Sequence, residues 1–123
     1  MIKIQTNNAP EAVGTYSQAV VSGNLVFTAG QIAINPENNK LINAGVGEQA
    51  ELVLKNLSAV LEAAGTSLDN AVKVTVFLKD MNDFAEVNAV YERHFTKKPA
   101  RSTVEVSRLP KDVLVEMDVI AER

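Results

Sequence analysis

A chain of 123 residues with 46% apolar and 22% charged side chains is composed for a single folded core, which excludes a disordered chain. Its formal net charge of -3 supplies no long-range field for gathering nucleic acid or acidic lipid, so a nucleic-acid partner is not expected. Cysteine is absent, which removes disulfides, thiolate metal sites and thiol nucleophiles and suits a reducing, cytoplasmic setting. The start, MIKIQTNNAPEA, lacks the basic-then-apolar pattern of a secretion signal, and no window approaches 18 uninterrupted apolar residues, so neither export nor a membrane span is expected.

Along the chain, residues 18–21 and 25–28 read as two strands, with Ser22-Gly23-Asn24 as the tight turn of a hairpin. After the polar loop NPENNK, Ala50, Val53, Leu54, Leu57, Val60, Leu61 and Ala64 recur at three- and four-residue spacing. They mark one face of a helix over 45–64, closed by Gly65. Val72, Val74, Val76 and Leu78 alternate with Lys73, Thr75, Phe77 and Lys79, the period of a strand. A second helix is predicted from about Phe84, with Asp83 as its N-cap and Phe84, Val87, Tyr91 and Phe95 as its stripe, ending before Pro99. The lone histidine, His94, falls near its end and reads as a surface or helix-end residue, since one histidine cannot build a metal cluster or a serine relay. Two more alternating runs, 101–107 and 113–121, complete an order of two strands, a short strand, helix, strand, helix and two strands. No linker divides it, so residues 1–123 are expected to form one domain.

Two helices are too few to cover both faces of a five- or six-stranded sheet, so the expectation is an α+β layer pair with both helices on one face. The other face, carrying Thr75, Phe77, Thr103 and Leu114, is too apolar to remain bare and predicts a homo-oligomer.

Arg101 raises a sharper question, because an arginine heading an alternating Thr-Val-Glu-Val run needs either water or an anion. If the last two strands form an antiparallel pair with Val104 and Val106 on the core face, parity sets Thr103 opposite Glu116 and Arg101 opposite Asp118. Arg101, Thr103, Glu105, Glu116 and Asp118 then share the non-core face. Two readings stay open: cross-strand ion pairs, or a cleft in which Arg101 holds a small carboxylate while Glu116 holds or activates a water.

The segments Pro99-Ala100-Arg101-Ser102, Leu109-Pro110 and Val115-Glu116-Met117 closely resemble the C-terminal signature of the RidA/YjgF family of imine deaminases. The resemblance extends over nearly the whole chain, through Asn8-Ala9-Pro10, residues 14–19 (GTYSQA), Gly30-Gln31-Ile32 and residues 76–80 (VFLKD). It implies a chorismate-mutase-like α+β fold with a mixed sheet. It further implies a homotrimer whose three sheets form a central barrel, and ligand sites in the clefts between subunits. It implies hydrolysis of 2-imino acids such as 2-iminobutanoate and 2-iminopropanoate, or their enamines, to 2-keto acids and ammonia without metal or organic cofactor. That activity disarms products of pyridoxal-phosphate dehydratases. On the same resemblance Arg101 grips the substrate carboxylate and Glu116 positions the attacking water. Tyr16, Ala29, Gly30 and the main chain of Thr103 line the substrate site. Thr15 stands where proline is common, Ala29 where serine is frequent, and Thr103 where many members carry cysteine, while residues 95–99 form a short connection. Two other classes remain in view: a non-catalytic module that binds a keto acid, and an endoribonuclease, which neither the charge nor a histidine pair supports.

Overall fold

A computed structural model describes residues 1–123. Strand β1 (Ile2–Ile4) was not anticipated; three residues are too short to show a period, and pairing to β2 (Ala19–Ser22) is what makes them a strand. The predicted hairpin is present as β2 and β3 (Leu25–Thr28), turning at Gly23, whose φ of 61° is left-handed. The polar loop that follows carries a two-stranded ribbon, β4 (Ile34–Asn35) and β5 (Lys40–Leu41). Helix α1 (Val46–Ala63) buries the predicted stripe, and Gly65 at φ 85° ends it.

Next come β6 (Ala71–Leu78), α2 (Phe84–His94), β7 (Ala100–Glu105) and β8 (Val115–Glu122). Asp83 occupies the N-cap position of α2 as expected but makes no side-chain cap bond; Asp80 accepts from the Asn82 N–H, capping a 3₁₀ turn over Met81–Asp83 ahead of the helix. His94 is the last residue of α2, as expected of a helix-end residue.

The six-stranded sheet runs β1-β2-β3-β8-β6-β7, and both helices pack on one of its faces. The predicted pairing of the last two strands is wrong. β8 lies antiparallel to β6, with Val74 opposite Val119, Val76 opposite Met117 and Phe77 opposite Glu116. β7 lies parallel to β6 on the outer edge, with Val74 opposite Arg101, Val76 opposite Thr103 and Leu78 opposite Glu105. The physical reason is the crossover: a strand that leaves through a packed helix returns parallel to where it began, so β6-α2-β7 forms a βαβ unit. The chain then crosses β6, through a 3₁₀ turn over Pro110–Asp112, to add β8 on its far side.

Register now fixes the faces. Val74, Val76 and Leu78 of β6 and Val115, Met117 and Val119 of β8 are buried against Val53, Leu57 and Leu61 of α1. Each such side chain contributes about 1.5–3 kcal/mol on burial, which makes this the stabilising layer. Arg101, Thr103 and Glu105 share that helix-side face. Thr75, Phe77, Ser102, Val104, Glu116 and Asp118 share the open one. The expected placement of β7 is therefore inverted: Thr103 is not on the open face, and Val104 is not in the core but 42% exposed. Leu114 lies just before β8, partly buried against the core. The apolar open face itself is as predicted, continuing through Phe77 to Val20, Phe27 and Ile120.

Candidate functional site

Arg101 projects from the edge strand toward α2. Its Nη1 donates to Asn88 Oδ1 at 2.7 Å, and its guanidinium carbon lies 4.6 Å from the Tyr91 ring centroid and 5.4 Å from that of Phe84. These three partners come from one side of α2, since 84, 88 and 91 are four and three residues apart. Arg101 forms no salt bridge, whereas Arg93 pairs with Glu51 and Arg108 with Asp112. Of the two readings left open, the cross-strand ion pair is not formed: a neutral amide and two aromatic faces hold the cation, and its charge is uncompensated within the chain.

Glu116 projects from the opposite face of the sheet into a cavity of about 640 Å³. Its walls are the segment from Pro10 to Val13, Tyr16, Ala29-Gly30 and the Pro110-Lys111 turn. Gln18, 2% exposed, fixes the first wall: its Oε1 accepts from the Thr6 N–H at 2.7 Å, and its Nε2 donates to the carbonyls of Thr6 (3.0 Å) and Pro10 (2.8 Å). The second wall is tied to the sheet where the Ala29 N–H donates to Gln18 O (2.9 Å) and the Gln31 N–H to Met117 O (2.8 Å). Gly30, between these anchored neighbours, is exposed and has no backbone hydrogen bond. A Cβ there would lie inside van der Waals contact with Glu116 Oε2 and 3.0 Å from its Cδ. The glycine is what lets the carboxylate lie against the main chain.

Burial pushes the Glu116 carboxyl above the ordinary carboxylate range, and the charge of Asp118 pushes it further. Asp118 is likewise raised by burial, although a hydrogen bond from Thr75 and the charge of Lys73 act the other way. Glu116 has no cationic partner of its own. A half-buried acid that retains its proton more readily than usual, in a cavity sized for a small molecule, is chemically suited to passing protons to and from water.

The predicted residues therefore fall into two groups. Tyr16 (54% exposed), Ala29, Gly30 and Glu116 line the cavity; Arg101 and Thr103 lie on the helix face of β7, with β6 and the thickness of the sheet between them and Glu116. No cleft within one chain contains both groups. The sequence reading left Asn88 outside the site and treated Tyr91 and Phe84 as helix core; the usable signal was an amide set into the apolar stripe of α2, at the spacing that faces β7. A larger hollow of about 970 Å³ along α1 contains none of the predicted residues.

The fold is that of a two-layer α+β chain, two helices on one face of a mixed sheet, with the other face uncovered and with Arg101 and Glu116 on opposite sides of the sheet. Residues 6–123 match the sequence model of the Endoribonuclease L-PSP family. The chain is 52% identical over 124 residues to the 2-iminobutanoate/2-iminopropanoate deaminase of Escherichia coli, covering 98% of this chain and 96% of that protein. Among solved structures, a Thermotoga maritima protein superposes with a TM-score of 0.97 at 48% identity, covering 100% of this chain and 98% of that one. Escherichia coli TdcF with bound serine superposes at 0.95 and 45% identity, covering 100% and 99%. The chain belongs to this family, the RidA/YjgF family.

Proposed function

We propose that the protein hydrolyses small reactive 2-imino acids, or their enamine tautomers, to 2-keto acids and ammonia. The observation that carries this reading is the pair of half-sites: an uncompensated guanidinium at Arg101 and a raised, partnerless carboxyl at Glu116. They meet if copies of the chain assemble through the open face, so that Arg101 in one protomer borders the Glu116 cavity of its neighbour. Three copies closing their sheets into a barrel would cover Phe27 and Val104, which are 36% and 42% exposed in the single chain.

In that cleft the substrate carboxylate pairs with Arg101. The exposed main chain at Ala29-Gly30 and the Tyr16 hydroxyl face the ligand, and the main chain of Thr103 adds a contact at the Arg101 end. With the imine protonated at nitrogen, Glu116 accepts a proton from water as its oxygen adds to the C=N carbon, giving the neutral carbinolamine. It returns that proton to nitrogen; the C–N bond then breaks as the C=O bond forms, and the departing ammonia carries off the hydroxyl proton as ammonium, leaving the keto acid. An imine is already electrophilic, so orientation and one proton relay suffice and no cofactor is required. Similarity to the 2-iminobutanoate/2-iminopropanoate deaminase of Escherichia coli supports the reaction, and the serine held by TdcF supports a small, carboxylate-bearing ligand.

The test couples a threonine dehydratase to a semicarbazide trap. Catalytic amounts of the wild type should suppress semicarbazone formation, and both Arg101→Ala and Glu116→Gln should abolish the effect. Wild-type protein that binds 2-oxobutanoate without suppressing the trap would instead make this a keto-acid-binding module. Full activity in Glu116→Gln would remove the glutamate from the mechanism.

A further inference from the structure

Arg101 is oriented by a group that carries no charge. The Asn88 side chain is used at both ends: Oδ1 accepts from Arg101 Nη1 at 2.7 Å, and Nδ2 donates to Glu92 Oε1 at 3.1 Å, one turn further along α2. Only one amide orientation satisfies a guanidinium donor on one side and a carboxylate acceptor on the other, so Glu92 fixes which way the oxygen points. Beneath the guanidinium, the ring of Tyr91 forms a platform at 4.6 Å. The space below, between Val76, Val87 and Thr103, is a cavity of about 10 Å³, too small for the arginine head to fold inward. Tyr91 is 7% exposed and its hydroxyl has no hydrogen-bond partner, so the ring is the part of this tyrosine that the cradle uses.

An aspartate in place of Asn88 would hold the same guanidinium more tightly, but it would neutralise it and compete with an incoming carboxylate for the same fork of donors. An amide leaves the charge whole and commits only one terminal nitrogen. We propose that Asn88 is a positioning residue for ligand binding, presenting the remaining donors of Arg101 in fixed orientation and at full charge to the carboxylate, with the Tyr91 ring as platform. This rests on the reading of Arg101 as the carboxylate receptor.

The test measures 2-oxobutanoate binding by calorimetry and imine turnover by the semicarbazide trap, alongside the thermal midpoint. The variants are Asn88→Ala, Asn88→Asp, Tyr91→Phe and Tyr91→Leu, with Arg101→Ala as reference. Asn88→Ala should weaken binding and raise KM by about tenfold, the loss of one orienting hydrogen bond to a charged group, with kcat changed by less than about twofold. Asn88→Asp should bind more weakly still while its thermal midpoint stays level or rises, an opposition that a merely structural role does not produce. Tyr91→Phe should keep wild-type affinity, and Tyr91→Leu should lose it. Wild-type binding in Asn88→Asp, or equal loss in Tyr91→Phe and Tyr91→Leu, overturns the proposal. If Arg101→Ala binds as well as wild type, the reading of Arg101 fails and this proposal with it. If Arg101→Ala loses binding while the Asn88 variants retain it, only the role of Asn88 fails.

Discussion

Arg101 and Glu116 stand two strands apart, on opposite faces of one sheet, and their surroundings differ in kind. The arginine is held by its own chain: a neutral amide sets its direction, two rings support it, and no acid claims its charge. The glutamate is held by exclusion. Gly30 makes room for it, burial raises its affinity for a proton, and no cation of the same chain answers it. The first arrangement is suited to binding an anion repeatedly without changing state, and the second to changing state during a reaction. On the proposed function neither half completes a site alone, and the open apolar face favours the same assembly.

The largest expected effect comes from dividing the comparison between subunits. Arg101→Ala and Glu116→Gln proteins should each be inactive, but unfolding and refolding them together should restore activity. With random assembly, roughly a quarter of the clefts join an intact arginine to an intact glutamate. No recovery above the separate variants would mean that the two residues do not meet across subunits.

Gly30→Ala should act on the glutamate half alone. The added methyl clashes with a flexible carboxylate rather than with backbone, so the chain should fold while Glu116 turns aside. Turnover should fall by about 10²-fold, within the range that a general acid-base group contributes, and 2-oxobutanoate affinity should change by less than about threefold. Equal loss of both would show that the glycine serves the binding site as a whole.

Much of the fold was legible because local pattern determines it: the 3.6-residue stripe of α1, the Gly23 turn and the alternation of β6 all appear where periodicity places them. Face assignment of β7 was not. Alternation separates two faces without naming the core, and Val104 misled because the open face also carries Phe77, Phe27 and Ile120. Strand neighbours were equally beyond parity, since adjacency in sequence favoured a β7-β8 hairpin where a helical crossover had placed β6 between them. Arg101 and Glu116 were picked out by residue type and by family resemblance; their separation across the sheet could come only from the register.

Titration offers the finest contrast, this time between Glu116 and an acid on the helix side. Glu51 is held below the ordinary carboxylate range, chiefly by its hydrogen bond with His94 and then by that with Arg93, which clamps α1 to α2. For Glu51 the folded state binds the proton less readily than the unfolded chain. Its stabilisation is present above the ordinary glutamate pKa and is lost as pH falls through that value toward the lowered one. For Glu116 the sign reverses: the folded state keeps its proton over the window between the ordinary value and the raised one, so stability falls as pH rises through that window. Glu116→Gln should therefore raise the thermal midpoint near pH 7 by about 1–3 °C. Glu51→Gln should lower it by about 1 °C or less, because its side chain is 42% exposed and solvent screens the clamp. Both differences should shrink as the pH approaches 4, and only the Glu51 effect should disappear in 1 M salt, where the Debye length is about 3 Å. Shifts of the same sign in the two variants at neutral pH would mean that the carboxyl in the cavity is stabilised by a cation the single chain does not supply, as the Arg101 of a neighbouring copy would do in the proposed assembly, and that this charge outweighs the burial.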